Sequence, residues 1–158
     1  MDTLQITTED WDLLQKNKPI TDKWIAGLRS GKWIQTIGAM TSVDVPNSAC
    51  CLMVVEAECN NKTVNDYIRI PNNELDVPTA AGLPSEEENP LQLQLHGLGF
   101  KYPQSLTAVF KCNSGIERLR KFHNTSLAPS QWNDTLQLTF EEIATLLETG
   151  SLTKDFSV

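Results

Sequence analysis

Six side chains in this sequence are of the types that do nucleophilic or metal chemistry: Cys50, Cys51, Cys59, Cys112, His96 and His123. Structural zinc sites take their thiolates in pairs separated by a few residues. An adjacent pair with a distant third fits no such pattern. Either histidine beside Cys112 or Cys51 would make an activated thiol. Each histidine stands among apolar neighbours, however, where ordinary half-buried imidazoles are the rule. No Gly-rich phosphate loop, His-Glu-x-x-His, nucleophile elbow or Cys-x-x-Cys is present. The expectation is no catalytic residue, no metal and no cofactor, which leans away from an enzyme.

A second set is cationic and aromatic. Arg118, Arg120, Lys121 and Lys111 crowd one stretch, and Arg29 and Lys32 stand at a predicted helix end close to Trp24 and Trp33. Lys32, Arg118 or Arg120 on a phosphate, with Trp24 or Trp33 stacked on a base, would make a small-ligand or nucleotide site. The simpler reading is a solvated strand, helix-end charges and tryptophans closing the core edge. The triplet Glu86-Glu87-Glu88 reads as a solvated loop rather than a metal site.

These groups must be positioned by 158 residues, enough for one domain spanning 1–158 with a self-sufficient core. Asp and Glu number 20 against 13 Lys and Arg, a net charge of −7. That sign disfavours bulk nucleic acid and anionic membrane as partners. The first twenty residues hold Asp2, Glu9, Asp10 and Asp12 and no apolar signal-peptide core, and no apolar run is long enough to span a bilayer. The expectation is a cytoplasmic protein with four reduced thiols.

The fold class expected is α+β, a small, mainly antiparallel sheet covered by amphipathic helices. Thr7-Thr8-Glu9-Asp10 opens a short N-terminal helix or arm over 1–19, ended by Pro19. Thr21 caps a helix over 22–30, with Ile20 and Ile25 as its staple and Gly31 past its end. Strands are expected at 33–40 and 50–58, paired antiparallel, with Tyr67–Ile70 as a further short strand. Residues 71–90, with four prolines, read as a long surface loop. Residues 90–97 fit a helix opened by Asn89-Pro90 or an alternating strand. A hairpin is expected over 105–122, turning at Asn113-Ser114-Gly115, although Ile116, Leu119 and Phe122 also suit a helix. The last helix, 139–149, carries a full capping box in Thr139 and Glu142, and 151–158 reads as a loose tail.

Several segments, in order, carry a resemblance: Trp24-Ile25-Ala26-Gly27-Leu28-Arg29-Ser30-Gly31-Lys32-Trp33-Ile34-Gln35, then Ala49-Cys50-Cys51-Leu52-Met53-Val54-Val55, His96-Gly97-Leu98, Trp132-Asn133-Asp134 and Leu138-Thr139-Phe140-Glu141-Glu142-Ile143-Ala144. Together they resemble small proteins common in bacteriophage and prophage genomes, a family without a settled activity. The resemblance implies a compact cytosolic domain tied to a mobile element, and favours helix at 90–97. It is densest around Arg29, Lys32, Trp33, Gln35, Asn133 and Asp134, which become the expected contact residues. The function expected is non-enzymatic interaction with a host or other cellular protein. The small-ligand or nucleotide-phosphate domain is the alternative.

Overall fold

The computed structural model describes residues 1–39, 42, 44–59, 68–69, 74–75 and 103–157. The chain opens with β1 (Asp2–Ile6), in which Asp2, Leu4 and Ile6 turn inward and Gln5 outward. Next comes α1 (Thr8–Lys16), where the Thr7 hydroxyl accepts from the Asp10 amide. A single residue, Asn17, separates it from α2 (Lys18–Arg29). The Asn17 amide side chain donates to Leu13 O and so caps the end of α1. Pro19 occupies the first turn of α2, where its missing N–H costs nothing. Thr21 lies inside that helix, donating to Leu14 O and Asn17 O. The helix thus begins four residues before the expected 22, and Pro19 opens it as well as closing the one before. Gly31, with φ +75°, takes the left-handed position just past its end.

Then follow β2 (Ile34–Gln35), β3 (Ser48–Ala49) and α3 (Cys51–Cys59). The expected strand at 50–58 is a helix, and this is the main correction to the sequence reading. Cys51 to Ala57 are all buried. Cys51 to Val55 are apolar without a break, and such a run shows neither helical nor strand periodicity, so its pattern cannot separate the two. The expected antiparallel pairing of 33–40 with 50–58 is replaced by a two-residue parallel pairing of β2 with β3, Ile34 opposite Ser48 and Gln35 opposite Ala49.

A second small pair is β4 (Ile68–Arg69) antiparallel to β5 (Glu74–Leu75). The first falls within the expected strand at 67–70. The expected helix at 90–97, and the 71–90 loop apart from 74–75, lie outside the described residues.

The remaining elements are β6 (Ala108–Lys111), α4 (Glu117–Arg120), β7 (Thr125–Leu127), α5 (Pro129–Asp134), α6 (Phe140–Thr149) and β8 (Ser151–Lys154). The hairpin expected over 105–122 is not formed: β6 pairs antiparallel with β7, which lies beyond residue 122, across a longer connection. Residues 116–122 instead contain the helical turn α4, with Leu119 buried and Ile116 and Phe122 half-buried. The capping box of α6 is complete: Glu142 N donates to Thr139 Oγ1 and Thr139 N to Glu142 Oε1. The expected loose tail is corrected too, because 151–154 form β8.

One antiparallel sheet runs β7-β6-β1-β8, with β1 between two partners. Leu4 stands opposite both Phe110 and Leu152. Helix α2 packs against α3 and α6, and a single buried cluster runs from Leu4 and Phe110 through Trp24 and Met53 to Ile143. The architecture is α+β with a small antiparallel sheet. Among the described residues no helix is long and apolar enough to cross a membrane.

Candidate functional site

The six expected contact residues fall into three groups, each tied to a different partner. Arg29, at the end of α2, reaches one face of α6. Its Nε donates to Glu141 at 3.1 Å, and its terminal nitrogens donate to Glu148 at 2.7 and 3.2 Å. Glu141, Thr145 and Glu148 recur at helical spacing, so one guanidinium spans two turns of helix. The hydrogen bonds from Arg29 hold the Glu148 carboxyl below the usual range, and the same contacts raise the guanidinium further.

Lys32 and Trp33 meet Glu58 at the end of α3. The Trp33 indole donates to Glu58 Oε1 at 2.8 Å. Lys32 Nζ lies 3.4 Å from the same oxygen and 4.8 Å from the centroid of the Trp33 ring. Trp33 is only 5 % exposed, and Trp24 is fully buried with its indole donating to Cys51 O. Neither ring presents a face on which a base could stack. Arg118 and Arg120 sit on α4.

Gln35, Asn133 and Asp134 come together. Gln35 Nε2 donates to Asn133 Oδ1 at 2.9 Å and to Leu138 O at 2.7 Å. Asn133 Oδ1 also accepts from Cys51 N, and its Nδ2 donates to Thr36 O and Asp134 Oδ1. Asp134 in turn accepts from Gly38 N at 2.9 Å. This network ties β2, the following loop and the start of α3 to α5, and its hydrogen bonds are internal. The polar groups therefore hold the segment after Gln35 in place. Beside this network Ile34 on β2 is 55 % and Ile37 47 % exposed, and Val45, ahead of β3, is 39 % exposed next to the exposed Asp44. Sequence reasoning missed these three. The one available signal was that Ile34 and Ile37 differ in strand parity, so a single strand face cannot bury both.

The thiols are mostly sequestered. Cys51 Sγ donates to Pro129 O, and burial pushes the Cys50 and Cys51 thiols up. Cys59 is pushed up to about 11, again by burial. These are protonated sulfurs, poor nucleophiles. His123 Nδ1 accepts from the Cys112 amide rather than facing a buried thiol, and His96 lies outside the described residues. Among the described residues no group of His, Cys, Asp and Glu is gathered to hold a metal. A shallow depression of about 200 Å³ beside Trp11, Thr149 and Ser151 contains none of the expected site residues. Compared with family models, curated proteins and solved structures, the chain matches none.

Proposed function

We propose that this protein acts by binding another protein, without catalysis, through the surface that follows β2. The observation that carries the reading is the exposure of Ile34 and Ile37 on a segment fixed by Gln35, Asn133 and Asp134. Apolar side chains on an already ordered backbone bind without an added ordering cost, which is what a recognition surface requires. Of the expected contact residues, Lys32 borders this surface, while Gln35, Asn133 and Asp134 support it from beneath. The net charge of −7 favours a protein over bulk nucleic acid or anionic membrane. The resemblance to phage and prophage proteins supports a cytoplasmic host factor as the partner, whose activity would be modulated by the contact.

The test compares wild-type protein with Ile34→Lys/Ile37→Lys as bait in a cytosolic extract. Both changes are at exposed positions, so the melting temperature should hold within the small range of surface substitutions. The expected result is a discrete captured protein present with wild type and absent with the variant. Identical capture by both would discard this surface.

A further inference from the structure

The basic stretch of the sequence becomes a discrete knuckle where β6 turns into β7. Between Ala108 and Leu127 four cations, Lys111, Arg118, Arg120 and Lys121, stand against one anion, Glu117. The local charge is thus +3 on a chain whose total is −7. All four cations are exposed. Leu119 turns into the core, so on α4 the side chains of Arg118 and Arg120 flank it and Lys121 points away from it. Lys111 is held at the end of β6 by the Asn124 side chain, and Lys121 lies over the half-buried Phe122 ring.

Elsewhere Lys18 pairs with Asp22, Arg29 with Glu141 and Glu148, Lys32 with Glu58 and Lys154 with Glu142, while Lys16 and Lys23 are exposed as single lysines on α1 and α2. Among the described residues none of the knuckle's four has a carboxylate partner. The knuckle is also braced. The buried Asp2 carboxylate accepts from Asn113 N, Ser114 N and Ser114 Oγ, all at 2.8 Å, and His123 Nδ1 accepts from Cys112 N.

We propose that this knuckle is a second docking surface, for a short acidic segment of a partner protein. Two of its cations are arginines, whose planar forks pair with carboxylates in a bidentate manner. The reach of the patch selects against a longer polyanion. Exposed charges are screened beyond about 8 Å at physiological salt, so a few carboxylates sense only the knuckle. The phosphate row of a nucleic acid would extend past it onto the acidic remainder of the protein. The site is independent of the surface at Ile34 and Ile37.

The experiment measures the fluorescence anisotropy of a labelled ten-residue Glu/Asp peptide against the full chain, at low and at physiological salt. A labelled single-stranded oligonucleotide of equal charge is the second probe. The variant pair is Arg118→Glu/Arg120→Glu. Lys16→Glu/Lys23→Glu, also exposed, makes the same change in net charge elsewhere. We expect peptide affinity to fall at least about tenfold in the first pair and less than about twofold in the second. Ile34→Lys/Ile37→Lys should leave it unchanged. Should the charge reversal unfold the chain, Arg118→Gln/Arg120→Gln carries the same expectation. Equal loss in both pairs, or no binding at low salt, would overturn the proposal. So would tighter binding of the oligonucleotide. Dimerisation lost in the same variants, seen by sedimentation without peptide, would assign the knuckle to a second copy of this chain instead.

Discussion

The Asn133 side chain satisfies the first amide of a helix it does not belong to. Its Oδ1 accepts from the Cys51 amide, at the first residue of α3, at 3.2 Å, across a sequence separation of 82 residues. The same oxygen accepts from Gln35, and the Nδ2 satisfies Thr36 O. Asn133 is completely buried, and so is Cys51, whose amide would lose its side-chain partner out of reach of water if Asn133 were truncated. Asn133→Ala should therefore destabilise the fold by about 3 kcal/mol, since each orphaned buried group costs about 1–3 and relaxation recovers part. Urea denaturation measures it, and a loss below about 1 kcal/mol would show that the network is dispensable.

Lys32 and Gln35 should separate in the same assay. Lys32 is 46 % exposed and its contact with Glu58 is long and screened, so Lys32→Ala should stay within about 0.5 kcal/mol. Gln35→Ala removes two donors to buried acceptors and should cost about 1–2 kcal/mol. Equal effects would contradict the division between supporting and bordering residues.

That division explains how far the sequence could be read. The last helix was legible because its signals are local: Thr139 and Glu142 cap it and Gly150 ends it within a dozen residues. Helix α3 was not, because its first five residues are unbroken apolar and its N-terminal amide is satisfied from α5. Strand β8 was missed because its partner is the very first strand, and nothing near Ser151 announces a pairing with Gln5. At the candidate site, the sequence pointed to Gln35, Asn133 and Asp134 as polar residues at element ends. Whether such groups face solvent or one another depends on three segments meeting in space, which no local pattern records.

The tail supplies a truncation test. β8 covers one edge of β1, and Phe156 packs edge-on against Phe110 with ring centroids 6.0 Å apart. Ending the chain at Gly150 should lower the melting temperature and, by baring the β1 edge, promote aggregation. A truncated protein with unchanged melting would return residues 151–158 to the role of a loose tail.

Acid should act through the Arg29 clamp. The folded-state pKa of Glu148 lies below its unfolded value, so the stabilisation is fully present above the ordinary carboxylate range. It is lost as pH falls through the lowered value. In Arg29→Met the Glu148 titration, followed by NMR, should return upward towards the ordinary glutamate value. The stability gap between variant and wild type should close in acid. A Glu148 titration indifferent to the substitution would mean that the ion pair is not formed in solution.

Thiol reactivity should be ordered by burial. Cys50 and Cys51 are buried, and the Cys59 thiol is pushed up to about 11. Cys112 is half-buried at the rim of the knuckle. Under native conditions near pH 8, alkylation followed by mass spectrometry should modify Cys112 first and Cys59 more slowly, with Cys50 and Cys51 following only on opening of the fold. Early labelling of Cys50 or Cys51 would contradict the packing of α3 against α5.

Gly27 offers the sharpest test of the α2–α3 contact. Intrinsic propensity alone says that Gly27→Ala, inside a helix, should stabilise by about 1 kcal/mol. The packing says otherwise. A Cβ at Gly27 would sit 2.6 Å from Glu58 Cγ and 3.0 Å from Val54 Cγ1. Glu58 cannot simply swing aside, because its Oε1 accepts from the Trp33 indole and lies near Lys32 Nζ. The expected outcome is a net loss of about 1–2 kcal/mol, as the clash outweighs the propensity gain. A double-mutant cycle isolates the cause. Removing the Glu58 side chain should relieve most of the crowding, so Gly27→Ala should be much less damaging in Glu58→Ala than in wild type. Trp33 fluorescence should shift in both single variants, since each disturbs the carboxylate that its indole faces. If Gly27→Ala stabilises the wild-type chain, the two helices do not approach this closely, and the placement of Glu58 between Trp33 and Lys32 falls with it.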